Sequence, residues 1–186
     1  MAAKKSLVFV TSNMKKLAEV KQILSSTFDV THHKLDLLEI QGTYEEVVKA
    51  KAKQAYDQLG IPVIVEDTSL CFKAFKGLPG PYIKYFLESL GPEGLHKMLH
   101  AFEDKSAKAV CIFAYCEGAE TEPIVFEGIC DGQIVSPRYN TAEPFGWDPC
   151  FEPLELKKTF GEMSPEEKHK ISHRSRALAK LQEYFS

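Results

Sequence analysis

The first 65 residues alternate strand-like segments with amphipathic helical patterns, and this order restricts the folds open to the chain. Residues 7–10, 28–35 and 63–65 predict three strands. Helical periodicity covers residues 15–24 and 43–59 between them. A strand–helix–strand–helix–strand order is typical of α/β architecture, with parallel strands and short loops at their carboxyl ends.

The second half of the chain predicts a different pattern. Residues 107–115 and 123–135 predict a long antiparallel pair, which would make the sheet mixed. The remaining helical predictions are residues 83–90, residues 93–101, a helix that starts at Ser164 and a final helix from about Ser172. With no repeat or linker, we expect one domain over residues 1–186.

Composition and charge exclude several classes of protein. The formal net charge of −3 argues against a general nucleic-acid binder, which usually carries a basic surplus. No apolar run approaches the length of a membrane span, and residues 6–10 are too short for the core of a signal peptide. The five cysteines form no metal-finger spacing, and an odd number fits free thiols in a reducing compartment. We therefore expect a cytoplasmic protein that binds neither nucleic acid nor membranes.

The first strand runs directly into a helix start that suits a small anion. Thr11, Ser12 and Asn13 are potential helix caps, and Lys15 and Lys16 follow at once. Backbone N–H groups at such a start point towards one place, where the lysines add positive charge. An ordinary strand–turn–helix with solvated lysines explains the same residues equally well.

Carboxylates follow two of the predicted strands. Asp67 comes just after the third strand, with Glu66 before it, and Asp36 and Glu39 lie in the loop after the second. Such carboxylates could converge on one Mg²⁺, which prefers oxygen ligands and retains several waters. The alternative is a set of solvated loop acids or caps, and this simpler explanation is favoured for Glu39. The position of Asp67 favours a functional role.

The only tryptophan lies in a stiff loop, Phe145-Gly146-Trp147-Asp148-Pro149. Its aromatic faces could stack on a nucleobase while Asp148 accepts a hydrogen bond from the base or the sugar. A loop aromatic is more often a plug for the core, and this motif alone favours the plug.

Basic residues open the final helix. His173 and Arg174 could bind phosphate or a keto oxygen, because arginine offers a fixed fork of donors. Positive charge at a helix N-terminus is unfavourable, which suggests that these two residues serve a ligand. A solvated first turn is the simpler explanation, and we prefer it for Arg176. Lys51 and Lys84 could each reach a phosphate or could be surface lysines.

Together these motifs resemble the inosine triphosphate pyrophosphatase family, the Ham1-like nucleoside-triphosphate pyrophosphatases, in its eukaryotic branch. Five segments occur in the order and spacing of that family, over essentially the whole chain. They are Thr11-Ser12-Asn13-x-Lys15-Lys16, Val65-Glu66-Asp67-Thr68, Gly77-Leu78-Pro79-Gly80-Pro81-Tyr82-Ile83-Lys84, Phe145-Gly146-Trp147-Asp148-Pro149 and Ser172-His173-Arg174.

The resemblance implies an Mg²⁺-dependent homodimer, with Mn²⁺ as the alternative metal, that hydrolyses ITP, dITP and XTP to the monophosphate and pyrophosphate. It implies a two-lobed mixed sheet flanked by helices around a central cleft. Asp67 would be the general base and Lys16 a catalytic cation, with Glu39 and Asp67 as metal ligands. The substrate-binding residues implied by position are Thr11, Ser12, Asn13, Met14, Lys15, Lys16, Lys51, Asp67, Thr68, Lys84, Phe145, Gly146, Trp147, Asp148, Lys168, His173 and Arg174. Ser12 stands where many members have glycine, and its added Cβ would narrow the phosphate loop.

Two other functions remain open at this level. A Maf-like pyrophosphatase acting on dTTP or UTP would share the phosphate chemistry, but it gives no reason for the aromatic loop and the His173–Arg174 pair. A non-catalytic nucleotide- or RNA-binding module is opposed by the acidic charge balance and by the carboxylates of the predicted metal site.

Overall fold

The computed structural model describes residues 4–140 and 145–186 and contains the predicted mixed sheet flanked by helices. The strands are β1 (Lys5–Val10), β2 (Phe28–His33), β3 (Val63–Phe72), β4 (Pro79–Gly80), β5 (Ser106–Cys116), β6 (Ile124–Ile134) and β7 (Phe151–Pro153). The α-helices are α1 (Met14–Leu24), α2 (Tyr44–Leu59), α3 (Ile83–Met98), α4 (Pro165–Ile171) and α5 (His173–Tyr184).

The described strands form one seven-stranded sheet in the order β2-β1-β3-β5-β6-β7, with β4 paired to β3. β1 is parallel to both β2 and β3, as the alternating pattern of the first 65 residues predicts. The β3–β4 and β6–β7 pairs are antiparallel. The sheet is therefore mixed, and the predicted partners β5 and β6 are neighbours in it.

The described residues divide into two compact units. Unit 1 consists of residues 4–67, 111–128 and 174–186, and unit 2 of residues 68–110 and the described part of 129–173. The predicted cleft between two lobes stays a prediction.

Unit 1 has a core on each face of its strands. Phe9 and Ile64 pack with side chains from α1 and α5, among them Leu17 and Leu178. Their sequence neighbours Val10 and Val65 pack with the α2 side chains Val48, Ala52 and Ala55. Consecutive residues of a strand point to opposite faces, so α1 and α5 lie on one side of the sheet and α2 on the other.

Caps of ordinary chemistry fix two of the helices. Thr43 forms a capping box with Glu46 at the start of α2, and Gly60 ends that helix in the left-handed conformation at φ +66°. Ser164 and Glu167 form the equivalent box at the start of α4, where a helix start was predicted.

No helix among the described residues is both long and apolar enough to cross a bilayer.

Three predicted boundaries were wrong. β2 ends at His33 rather than at residue 35. The two helical segments predicted within residues 83–101 are present and are separated by non-helical backbone at Gly91, where φ is +65°, but the second ends at Met98 rather than at residue 101. β3 does not end at Val65 but continues to Phe72, so Asp67 lies within the strand. The register pairs Phe9 with Ile64, and β1 ends one residue later. Asp67 consequently lies beyond the carboxyl end of β1, although β3 itself continues.

Candidate active site

The turn between β1 and α1 is built around the side chain of Asn13. Asn13 is the N-cap of α1, and its Oδ1 accepts hydrogen bonds from the backbone N–H groups of Lys15 at 3.0 Å and Lys16 at 3.1 Å. The N–H of Asn13 in turn donates to Thr11 Oγ1 at 3.1 Å. Two of the donors that an anion would use at this helix start are therefore bound by the cap itself.

Glu66 of β3 is the centre of a buried charge cluster in unit 1. Lys16 Nζ lies 2.6 Å from Glu66 Oε2, and Arg174 Nη2 lies 3.2 Å from Glu66 Oε1. The thiol of Cys111, on β5, donates to the same Oε1 at 3.2 Å. Arg174 also forms an ion pair with Glu19 of α1 through Nη1. Two carboxylates thus face two cations, which offsets the cost of burying each charge.

The protonation states of this cluster follow from burial and from these partners. Burial alone would lower the pKa of Arg174, but the carboxylates of Glu66 and Glu19 raise it above its usual value. Burial raises the pKa of the Cys111 thiol well above its usual value, and the Glu66 carboxylate adds to that shift. Arg174 therefore stays charged, and Cys111 stays a donor.

Asp67 belongs to a second charge cluster, on the other face of β3. Lys51 of α2 places its Nζ 3.1 Å from Asp67 Oδ1 and 3.3 Å from Glu39 Oε1. The same ammonium lies 3.5 Å from the backbone carbonyl of Glu66. The alternation of side chains along β3 explains why Glu66 faces α1 and α5 while Asp67 faces α2. Glu39 and Asp67 therefore converge on one cation.

Burial raises the pKa of Asp67 above its usual value, although the ammonium groups of Lys51 and Lys16 oppose the shift. For Lys51, burial alone would lower the pKa, but Asp67 and Glu39 raise it. Asp67 Oδ2 is buried and has no hydrogen-bond partner among the described residues. Asp67 is thus a buried carboxylate with one oxygen bound to Lys51 and one without a donor in the described part of the chain.

This donor set fits a hard divalent cation of the Mg²⁺ type. The carboxylates of Glu39 and Asp67 both contact the Lys51 ammonium. Asp67 Oδ2, which has no hydrogen-bond donor among the described residues, is an oxygen that a metal ion could bind. Among the described residues no group of three or more His, Cys, Asp or Glu side chains is arranged for a metal. Mg²⁺ needs no such group, because it commonly binds through one or two carboxylates and keeps several waters.

Unit 2 contains an aromatic cluster, which we define as Phe145, Trp147, Asp148, Lys168 and His173. Lys168 Nζ lies 2.5 Å from Asp148 Oδ2 and 4.9 Å from the centroid of the Phe145 ring. The Trp147 and His173 ring centroids are 5.4 Å apart with an angle of 35° between the planes. Trp147 is only 6% exposed and is part of the hydrophobic core of this unit. Trp147 therefore packs in the core of unit 2, against a histidine that, like Trp147 itself, is predicted to bind substrate.

The backbone of the aromatic cluster is set by a left-handed residue. Gly146 has a backbone φ of +58°, a conformation that residues with a Cβ rarely adopt. The 3₁₀ turn that begins at Asp148 follows directly, with Pro149 at its start. This turn buries Asp148 opposite Lys168.

Other predicted site residues lie at the surface. Ser12, Met14 and Lys15 are exposed, and Thr68 is half-buried within β3. Lys84 is exposed near the start of α3, and its ammonium lies 6.0 Å from the centroid of the Tyr85 ring. His173 and Arg174 are adjacent in the sequence, but His173 packs within unit 2 and Arg174 within unit 1.

Sequence reasoning missed Glu19 and Phe160. Glu19 follows Lys16 at the i,i+3 spacing that places two side chains on one helical face, which is a usable signal. Phe160 has near-parallel contact with His173, at 5.8 Å and 18°, and lies 5.5 Å from Lys168 Nζ. No local pattern indicates that contact.

A mixed α/β sheet whose paired carboxylates and lysines lie beyond the carboxyl end of the parallel strand β1 is typical of enzymes that bind phosphate-bearing substrates. The chain belongs to the Ham1 family, whose family model matches residues 7–184.

Relatives in two fungi extend the match over nearly the whole chain. An inosine triphosphate pyrophosphatase of Pyricularia oryzae is 54% identical over 186 residues, which are 100% of this chain and 96% of the relative. One of Neurospora crassa is 57% identical over 178 residues, or 96% of this chain and 91% of the relative.

Solved structures show the same fold. A HAM1 protein from Coxiella burnetii has a TM-score of 0.85 at 27% identity, over 97% of this chain and 98% of that one. A nucleoside-triphosphatase / dITP/XTP pyrophosphatase from Mycobacterium abscessus has a TM-score of 0.73 at 28% identity, over 95% of this chain and 98% of that one.

Replacing Glu66 by glutamine removes the charge that faces Lys16 and Arg174 while keeping the shape of the side chain. We expect the free energy of unfolding to fall by about 3 kcal/mol, because breaking a buried pair leaves charge uncompensated. Urea denaturation followed by circular dichroism measures the change. Glu122→Gln is the control, since that exposed carboxylate pairs with Lys49 and Lys53 at the surface, where ion pairs contribute little. Equal shifts in the two variants would contradict a central role for Glu66.

Proposed function

We propose that this protein hydrolyses the non-canonical purine nucleoside triphosphates ITP, dITP and XTP to the monophosphate and pyrophosphate, and so cleanses the nucleotide pool. The observation that carries the proposal is the convergence of Glu39 and Asp67 on Lys51. It occurs in a chain that is 54% and 57% identical to two proteins named inosine triphosphate pyrophosphatase.

Asp67 is the proposed general base. Cleavage between the α- and β-phosphates needs a water in line with the leaving group and little covalent help from the protein. Because burial raises the pKa of Asp67, its carboxylate is a stronger base than an exposed aspartate. It accepts a proton from the attacking water at its oxygens, one of which Lys51 holds in place.

The lysines of unit 1 are the proposed ligands of the triphosphate. Lys16 and Lys51 carry positive charge to either face of β3, and each forms an ion pair with a carboxylate. Thr11 to Lys15 complete the phosphate loop in this proposal, with Asn13 fixing its shape. Positive charge fixed in advance stabilises the departing pyrophosphate at little cost of reorganisation.

Mg²⁺ is the proposed cofactor, with Mn²⁺ as the alternative. Glu39 and Asp67 would hold it, and when bound it would supply positive charge to the pyrophosphate. Lys51 lies between the same two carboxylates and would hold them beside the metal.

The aromatic cluster of unit 2 and Arg174 are proposed to recognise the base, and Lys84 to lie near the substrate. The 6-position carries a keto acceptor in inosine and an amino donor in adenosine. Arg174 only donates, and two carboxylates fix its guanidinium, so it suits the keto group and opposes the amino group. Asp148 is the proposed acceptor for a ring N–H or a sugar hydroxyl. The family resemblance implies Lys168 as a triphosphate contact, but we assign it to the base because its ammonium pairs with Asp148.

A homodimer and a cytoplasmic location complete the proposal. The first is supported by the family resemblance and by large apolar side chains at the surface, such as Leu38 and Leu154, which are 78% and 71% exposed. The second is supported by five cysteines that are all free thiols.

A nucleotide panel tests the function directly. We expect pyrophosphate release from ITP, dITP and XTP to exceed release from ATP and GTP, and EDTA to abolish it in every case. Pyrophosphate is measured by a coupled assay with and without Mg²⁺. A preference for dTTP or UTP would favour the Maf-like function instead. Tight ITP binding without Mg²⁺-dependent turnover would favour a binding module.

Asp67→Asn separates binding from chemistry. The amide keeps the size of the side chain but can neither accept a proton nor ligate a metal as strongly, so we expect kcat to fall about 10²-fold or more. Calorimetric titration with a non-hydrolysable ITP analogue should still detect binding. Asp57→Asn, at an aspartate of α2 outside the site, is the control. Near wild-type kcat in Asp67→Asn would show that the role is misassigned.

Arg174→Lys tests the recognition of the base without leaving Glu19 and Glu66 uncompensated, as alanine would. Lysine keeps the charge but lacks the fork of donors, so the ITP-to-ATP ratio of kcat/KM should fall about tenfold or more. Arg176→Lys, on the same helix, should keep the ratio. An equal loss for ITP and ATP in Arg174→Lys would mean that another residue reads the 6-position.

A further inference from the structure

Phe160 touches the groups that the proposed function assigns to the base. Its ring lies 5.8 Å from the His173 ring at 18°, 6.5 Å from the Trp147 ring, and 5.5 Å from Lys168 Nζ. The Lys168 ammonium therefore contacts two aromatic rings, those of Phe145 and Phe160, and the carboxylate of Asp148. Phe160 is buried at 2% exposure, and these contacts connect its ring to the groups assigned to the base.

The turn that carries Phe160 is closed by its own side chains. Thr159 and Glu162 form a capping box, in which the N–H of Thr159 donates to Glu162 Oε2 at 2.8 Å. The Thr159 hydroxyl lies 3.2 Å from the carbonyl oxygen of Arg138, to which it donates. Thr159 is completely buried. The turn is thus bound to the chain segment around Arg138.

Arg138 ties the same turn to the sheet. Its Nε donates to Glu162 Oε2 at 2.8 Å, and its Nη2 forms an ion pair with Glu152 of β7. Glu152 in turn accepts a hydrogen bond from Gln133 of β6 at 2.7 Å. The position of Phe160 is therefore connected to two strands through one arginine.

Gly161 brings this turn against the backbone of the aromatic loop. A Cβ at Gly161 would lie 2.8 Å from Pro149 Cα and 3.0 Å from the Arg138 carbonyl oxygen. Such distances leave no room for any side chain. The turn and the Trp147–Pro149 segment consequently pack backbone to backbone.

We propose that Phe160 is a positioning residue for Lys168 and His173, and that the turn Thr159–Glu162, anchored by Arg138 and Gly161, fixes the aromatic ring in place. The inference rests on the proposed function, because it assigns these residues to recognition of the purine base. Phe160 holds the ammonium beside Asp148 and the imidazole parallel to its own ring, so the base meets donors and faces that are already oriented.

The competing explanation is that Phe160 only fills space in the core. A comparison with Phe151 distinguishes the two explanations. Phe151 is equally buried and belongs to the same core, with ring contacts at 5.6 Å to Trp147 and 5.1 Å to Phe160. No ring or cation–π contact joins Phe151 to Lys168 or His173 among the described residues. Phe151→Leu therefore removes a comparable ring from the same core without touching the two groups in question.

The experiment compares Phe160→Leu, Phe160→Met and Phe151→Leu at matched stability. For both Phe160 variants we expect the KM for ITP to rise about tenfold, with a smaller change in kcat and unchanged inhibition by pyrophosphate, since the phosphate end is untouched. Phe151→Leu should change the KM by about twofold at most. Equal KM changes in the Phe151 and Phe160 variants would overturn the proposal and leave a structural role.

A second readout does not depend on catalysis. Reductive methylation of lysines, analysed by peptide mass spectrometry, reports how accessible the Lys168 ammonium is. Labelling of Lys168 should increase several-fold in Phe160→Leu and stay at the wild-type level in Phe151→Leu. Unchanged labelling in Phe160→Leu overturns the positioning role. If the wild type hydrolyses no ITP, the proposed function fails, and the labelling still decides whether Phe160 positions Lys168.

Discussion

The buried carboxylate of Glu66 is the interaction on which unit 1 depends. It lies within a strand, where a lone charge would be costly, and Lys16 and Arg174 make it tolerable. Those two partners belong to α1 and α5, which lie on one face of the sheet. The charge cluster therefore does more than satisfy one acid, because it fixes the first helix and the last helix against the same strand.

The position of Asp67 follows from the same strand. Because Asp67 is the next residue, its side chain must point to the opposite face, where α2 supplies Lys51. Two consecutive acids thus serve two different clusters: both oxygens of Glu66 form ion pairs, whereas only Oδ1 of Asp67 does so among the described residues. That difference is the reason why Asp67, rather than Glu66, is proposed to bind a metal ion and to accept a proton.

Unit 2 uses a different physical device to hold a charge. Lys168 is almost completely buried, and it is stabilised by one carboxylate and by the faces of two aromatic rings. Rings restrict the direction of an ammonium group without competing for its hydrogen bonds. Such a cluster is apolar except at a few oriented groups, which is the usual character of a site for a small ligand.

The sequence by itself determined the parallel βαβαβ start, the helix starts at Thr43 and Ser164, and the motifs that assign the chain to its family, because each depends on residues close together in the chain. Only the tertiary structure decided the partners of the charges. Glu19 and Arg174 are 155 positions apart, and nothing local indicates that they meet. The extension of β3 through two acids was missed for the same reason, since their cations come from other helices. Phe160 likewise gains its role from contacts that exist only once the chain has folded.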